Sequence, residues 1–497
     1  MSGFIRYEQK NGVEYASIYR AKRIDDKKTN DVEYLGRVID KEKGVFVSRK
    51  QGVFCYSLSS GYTDIPREYL SLLGKEHLII DFGDSFLLHE ILKITGLYDV
   101  IIQSFPDRFD TILSLVAHRI LDTVSASRYA EEWWEGSYAR FLYPKAILRS
   151  QRISEFLNDL GEESCLRNFF HYYITYVVGE GHNCDILLDS TGMPNKIRFP
   201  LTAVNCHNGI VSNESRLILV IDRRTSMPIY FRYAAGNIVD VTTLKATLLE
   251  LKAYGVDVNY ALVDAGYYSE KNIKALQAAR IPFVVRMASN RKLFKDLAKE
   301  YADSLEDARY LVKYGQRLVF IRQVIVDLFG KIGYAYIAVD MDRKHDEIRR
   351  YALAALDDDE ISDEDMNDTM RSKGMFALLS AEDIDEHDIL PLYYERQAIE
   401  QVFDFSKNNA DLLPLRTHSV ETFRGHLLLS FITSAVYLAA NKILADKGDS
   451  AISSFHLFRN LKCKVFDKQV VIQEANKRMN DIVKKLKINI PGSLPLW

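Results

Sequence analysis

Three carboxylates in this 497-residue chain stand out by position. Asp189 closes the apolar run Cys184-Asp185-Ile186-Leu187-Leu188, and Asp264 closes Ala261-Leu262-Val263. Each run is short, apolar and bounded by polar residues, which predicts a buried strand. A carboxylate ending such a strand is costly to bury without a partner. Ala265-Gly266 after Asp264 allows backbone to approach closely beside the charge. A single strand-ending aspartate is ordinarily a turn former or a helix cap. Two of them, each on a central strand of one sheet, point to a generic metal site, since ligands bind at strand ends. Asp185 shares a face with Asp189, because side chains repeat every second residue. Its place at the strand's start makes it the weaker candidate.

The third carboxylate is Glu400, in the stretch Tyr393 to Lys407. Helical periodicity places Tyr393, Arg396, Glu400 and Lys407 within a stripe roughly 60° wide. Ile399, Val402 and Phe403 lie beside it and can pack. One explanation is an exposed helix face with an Arg396–Glu400 salt bridge. It does not account for Tyr393 and Lys407 continuing the line. The other is a carboxylate metal ligand with phosphate-binding cations on either side. Three carboxylates suit two Mg²⁺ ions, which prefer hard oxygen ligands. Guanidinium and ammonium groups suit backbone phosphates.

These side chains need a sheet and a helix to hold them. Cys184–Asp189, Leu217–Ile221 and Ile229–Tyr233 read as strands, with Met227-Pro228 turning between the last two. Val241–Tyr254 reads as a helix ended by Gly255, Tyr260–Val263 as a strand, Lys271–Arg280 as a helix and Phe283–Val285 as a strand. The order β-β-β-α-β-α-β predicts a mixed sheet flanked by helices, the order of RNase H-like nucleases. Residues 288–373 interrupt it with further β-rich runs and an acidic stretch, and are expected to be an inserted β subdomain. The core would therefore occupy 179–287 and 374–444. Residues 1–64 are expected to be a β-rich arm. Residues 65–178 form a helical region expected to bind DNA ends, with Gly96 stopping one helix. Residues 445–497 are expected to be a helical segment. Trp133 and Trp134 are read as packing residues, not base-stacking platforms.

Bulk properties narrow the class. The length predicts several domains. The net charge of −3 counts mildly against nucleic-acid binding, but it leaves room for a local basic groove, because only the charge near the phosphates matters. Five scattered cysteines have no CxxC spacing, which supports neither a zinc site nor a disulfide framework, and the odd count fits a reducing cytoplasm. The N-terminus has no apolar signal core. The most apolar run, His426–Ala440, falls short of the roughly 20 residues that span a bilayer, and reads as a buried helix.

The pattern Y-x2-R-x3-E-x6-K at Tyr393, Arg396, Glu400 and Lys407 resembles the YREK signature of the IS-four-type insertion-sequence transposases. Leu188-Asp189-Ser190-Thr191 and Val263-Asp264-Ala265-Gly266-Tyr267 are similar to that family's two aspartate motifs. Gly236-Asn237 with Asp240 resembles the motif after its third strand, and Arg416-Thr417 with the helix from Val420 its C-terminal segment. The likeness covers about 180 to 440, with Leu35-Gly36-Arg37 more loosely similar. It implies an RNase H-like α/β core with an inserted β subdomain between Asp264 and Glu400. It implies a DDE transposase that cleaves transposon ends and transfers the 3′-OH strand into target DNA. Asp189, Asp264 and Glu400 would bind two Mg²⁺ ions (Mn²⁺ substituting), with Asp189 bridging them. Tyr393, Arg396 and Lys407 would contact DNA. The partners would be double-stranded terminal inverted repeats and target DNA, held by a homodimer on paired ends, with no membrane involved. Some members hold a flipped base with a tryptophan of the insert. This chain has none between 288 and 373, and no motif selects among Tyr301, Tyr310 and Tyr314 as a substitute. Two alternatives share the motifs: an RNase H-like metal nuclease without strand transfer, and a domesticated DNA-binding relative. The three intact carboxylates speak against the second.

Overall fold

Ile186-Leu187-Leu188, Ala261-Leu262-Val263 and Phe283-Val284-Val285 are buried at successive positions, so both faces of their strands are covered. They form the centre of a sheet in the computed structural model. It describes residues 3–24, 27–73, 75–179, 183–195, 201–207, 210–238, 242–355, 363–408, 412–413, 415 and 417–495. Asp240, Arg416 and the acidic run 357–360 lie outside the described residues. The chain divides into two units, Phe156–Ala435 and Met1–Glu155 with Val436–Trp497.

The first unit holds the candidate site. Its strands are β1 (Asn183–Pro194), β2 (Ile210–Asp222), β3 (Pro228–Ala235), β4 (Asp257–Val263), β5 (Phe283–Met287), β6 (Leu311–Tyr314), β7 (Arg317–Asp327), β8 (Ile332–Asp340) and β9 (Met375–Ser380). A short strand, Ala203–His207, pairs with β2. The sheet runs β3-β2-β1-β4-β5-β9-β8-β7-β6. β1, β4 and β5 are parallel neighbours, and β2 is antiparallel to both β1 and β3. This is an RNase H-like core: three antiparallel strands, then two that return in parallel through helices. The crossover helices are Leu244–Ala253 and Glu270–Ala278, the latter capped by the Ser269 side chain accepting from the Asn272 N–H.

The interruption after β5 does carry strands, but they build no sheet of their own. β9 pairs with β5, β8 with β9, β7 with β8 and β6 with β7, so they extend the core sheet. Helices Lys292–Tyr301, Met341–Ala355 and Asp363–Arg371 lie between them in sequence. Asp189 also departs from its expected place at a strand end. The apolar run stops there, yet β1 continues to Pro194, because the long β2 supplies backbone partners from Glu214 to Ile218.

Helix Val420–Ala445 is the one described helix long and apolar enough to cross a membrane, and most of it is buried in protein. Phe431 packs among Phe169, Phe170, Tyr173 and Phe231, which fixes this helix against Glu163–Val178 and β3. It also crosses the end of Ser150–Leu160 very closely. A Cβ on Gly425 would lie 1.8 Å from the Leu157 carbonyl oxygen, and one on Gly161 1.7 Å from that of Glu421.

The second unit begins with six antiparallel strands between Gly3 and Thr63, paired in chain order. Helices follow from Gly83, the first ending where Gly96 takes φ 79°. Trp133 packs edge-on against His118, and the Trp134 indole N–H donates to the Tyr143 carbonyl. The C-terminal segment is not purely helical. Lys462–Phe466, Gln469–Ile472 and Ser493–Pro495 form a four-stranded sheet with Glu76–Asp81. Alternation in Lys462-Cys463-Lys464-Val465 buries Cys463 and Val465 and turns the lysines outward, a strand's period of two. The Gln469 amide accepts from the Val53 N–H at 2.6 Å and donates to its carbonyl at 2.7 Å.

Candidate active site

β1 and β4 run side by side in parallel, with Val263 in register with Leu188. Asp189 and Asp264, each one residue further on, are therefore neighbours at one end of the sheet's centre. The helical segment after β9 crosses this end. Ile389, Leu390, Ile399, Val402 and Phe403 are among its buried residues. They pin it to the sheet and leave Arg396 and Glu400 facing the aspartates.

This segment is not the single helix expected from Tyr393 to Lys407. It is two, Ile389–Tyr394 and Gln397–Asn408, with Glu395 and Arg396 between them. The joint is tightly wound: Arg396 N–H donates to Tyr393 O, Ala398 N–H to Glu395 O and Ile399 N–H to Arg396 O, each three residues back. Adjacent side chains at the joint are tied in different directions. Glu395 is bound by Arg223, and Arg396 by the aspartates.

Arg396 is the centre of the site. Its guanidinium is ion-paired to Asp189, lies 3.2 Å from Asp264 Oδ1 and 3.8 Å from Glu400 Oε1. Asp189 is the deepest of the three carboxylates at 15% exposure, and Glu400 the outermost at 65%. The Asp189 carboxylate also accepts from the Ser190 N–H at 2.7 Å. The buried Tyr393 hydroxyl donates to Asp264 Oδ1 at 3.3 Å. Lys407 stands apart from the carboxylates and donates to Thr191 Oγ1 at 2.5 Å. Five of the six expected side chains thus share one cluster, and the sixth sits two residues along β1 from it.

Burial dominates the protonation energetics. It raises the Asp189 carboxyl to about 6; the Arg396 charge opposes this, and the Asp264 charge adds to it. Burial works against the Arg396 charge, but Asp189 and the neighbouring anions outweigh it and hold the guanidinium above its ordinary value. Burial also raises the Tyr393 phenol, which stays a proton donor, and lowers the Lys407 ammonium.

Among the described residues, no three His, Cys, Asp or Glu side chains stand close enough together to hold a metal ion in this arrangement. The donor set nevertheless fits one. The three carboxylates already converge on a cation, the guanidinium, and their oxygens are the hard donors that Mg²⁺ takes.

Two features escaped the residue pattern. Arg396 touches all three carboxylates, a relation that spacing along one helix cannot reveal. Arg223, in the turn after β2, binds Glu395 and Asp185; the position of Asp185 on the Asp189 face was the only hint. Of the three insert tyrosines, Tyr301 and Tyr310 flank Arg322, at 4.5 and 5.2 Å. Tyr314 stacks on Tyr394, with ring centres 4.9 Å apart, next to Tyr393.

An RNase H-like sheet carries Asp189 within β1 and Asp264 just past the end of its parallel neighbour β4, with Glu400 facing them from a helix, a carboxylate-centred candidate site. The chain belongs to the transposase DDE domain family, whose sequence pattern matches residues 183–435. That match spans β1 through most of helix Val420–Ala445 and takes in every residue of the cluster. A solved piggyBac transposase synaptic complex with hairpin DNA is similar at 14% identity and a TM-score of 0.40, over 75% of this chain and 77% of that one. No curated protein matches the chain.

Proposed function

We propose that this chain is a cut-and-paste DNA transposase of the IS-four (YREK) type, which cleaves transposon ends and transfers the 3′-OH strand into target DNA. The observation that carries this is the convergence of Asp189, Asp264 and Glu400 on one cationic point. Family membership supports the DNA substrate. Asp189, Asp264 and Glu400 would hold two Mg²⁺ ions, or Mn²⁺ in their place. When bound, these ions supply the positive charge that attack and departure of phosphodiester oxygens require.

The protein's own groups do the positioning. Asp189, the most buried, sets the depth of the site, and Glu400 at the rim closes it. Tyr393 orients Asp264 by its hydrogen bond. Arg396 would exchange its carboxylates for a backbone phosphate of the DNA end, where its planar fork can bind two oxygens. Lys407 would hold a second phosphate beside Thr191. Tyr314 and Tyr394 offer a stacked aromatic surface next to the cluster. A dimer would act on paired ends in the cytoplasm.

Asp264→Asn and Glu400→Gln should each abolish Mg²⁺-dependent end cleavage and leave end binding largely intact. Wild-type cleavage by either variant would refute the assignment. A plasmid-joining assay with donor ends separates transposition from simple nuclease action: joined products are expected, and cleavage without joining would reject strand transfer.

A further inference from the structure

We propose that Arg223 is a positioning residue: by clamping Glu395, it fixes the tight joint that presents Arg396 and Glu400 to the two aspartates. This rests on the cleavage centre proposed above. Arg223 Nε and Nη2 donate to both Glu395 carboxylate oxygens, at 2.5 and 3.1 Å, as a bidentate fork. Nη1 lies 3.4 Å from Asp185 Oδ2, and the Arg223 N–H donates to the Asp185 carbonyl at 2.8 Å. The guanidinium carbon is 5.9 Å from the Tyr260 ring centre. One side chain thus joins the start of β1, the turn after β2, β4 and the joint before Gln397.

Arg396 is held by Asp189 and Asp264, and the Arg223 fork on Glu395 ties the other side of the joint. Asp189, Asp264 and Glu400 are like charges and repel one another, so they do not by themselves draw Glu400 inward. The joint's three-residue hydrogen bonds turn the chain by about 120° per residue, against about 100° in an α-helix. Relaxation to a continuous helix would rotate Glu400 relative to Tyr393, and with it the third carboxylate. Glu395 immediately precedes Arg396, so a fork on the former sets the direction of the latter. Asp185, on the Asp189 face, then serves as second acceptor of the clamp and not as a metal ligand.

The test uses the full chain, with Mn²⁺ binding read by electron paramagnetic resonance and melting temperature read in parallel. Arg223→Ala and Glu395→Gln should each raise the half-saturating Mn²⁺ concentration about tenfold, and the double variant should be no worse than either single one. Arg223→Lys keeps the charge but loses the fork, and should recover only part of the affinity. Melting temperatures should stay near that of the wild type. Wild-type Mn²⁺ binding in Arg223→Ala, or effects that simply add in the double variant, overturn the clamp. Asp264→Asn separates the two levels. If it binds no Mn²⁺ while the Arg223 variants bind normally, only the clamp fails. If Asp264→Asn binds Mn²⁺ as the wild type does, the cleavage centre fails and the clamp falls with it.

Discussion

Arg396 makes three ion pairs, and its Nε is buried without a hydrogen-bond partner among the described residues. It neutralises carboxylates that would otherwise face one another across a partly buried site. Removing it leaves Asp189 buried beside Asp264 with no cation. Arg396→Ala should therefore lower stability in EDTA by about 3 kcal/mol, the cost of breaking a buried pair. Mg²⁺ should restore more of the melting temperature in the variant than in the wild type. If Mg²⁺ raises both melting temperatures equally, the guanidinium and the metal do not share the site. DNA-end binding by the same variant should also lose about one unit of salt slope, and an unchanged slope rejects its phosphate contact. Tyr393, Arg396, Glu400 and Lys407 could be read as one set because a helical period lines them up, although the chain forms two helices there, broken at Glu395 and Arg396. The three-way contact to Arg396 was not, because two of its partners lie 207 and 132 residues away in sequence (396 minus 189, and 396 minus 264).

At the scale of elements, legibility followed apolar continuity. The strands at 184–189, 260–263 and 283–285 are short apolar runs, and their buried two-faced character shows in composition. The strands of the 288–373 stretch were legible as strands but not as part of the core. Their pairing depends on β9, and a partner choice across dozens of residues leaves no local trace. The C-terminal strands were hidden for the same reason. Close helix crossing left only a faint mark, the glycines at 161 and 425. Their α-carbons let backbone meet backbone between Ser150–Leu160 and Val420–Ala445. A methyl there meets carbonyl oxygens that cannot move aside. Gly425→Ala should thus destabilise the protein by about 1–3 kcal/mol, the usual cost of overpacking. Chemical denaturation measures this directly, and an unchanged midpoint would show that the helices can part without penalty.

For the whole molecule, the DDE domain interrupts the unit built from both chain ends. Lys462 and Asp81 form an ion pair across 381 residues of sequence. Among the described residues, the one strand that pairs with Glu76–Asp81 is Lys462–Phe466. A chain stopped after residue 461 should leave the core sheet folded and that strand's edge bare. Limited proteolysis should then cut near 76–81 while the 183–435 region survives. Equal resistance of both regions would show that the N-terminal part stands without its last strands. Such an arrangement also imposes a timetable on synthesis. At roughly 5–20 residues per second, the ribosome needs about 20–80 s to pass from the strand at 76 to its partner at 462. The DDE domain, residues 183–435, is synthesised within that wait. Strand Glu76–Asp81 cannot pair until Lys462–Phe466 has been made, so the strands that carry Asp189 and Asp264 have time to pair before the sheet of the other unit is complete.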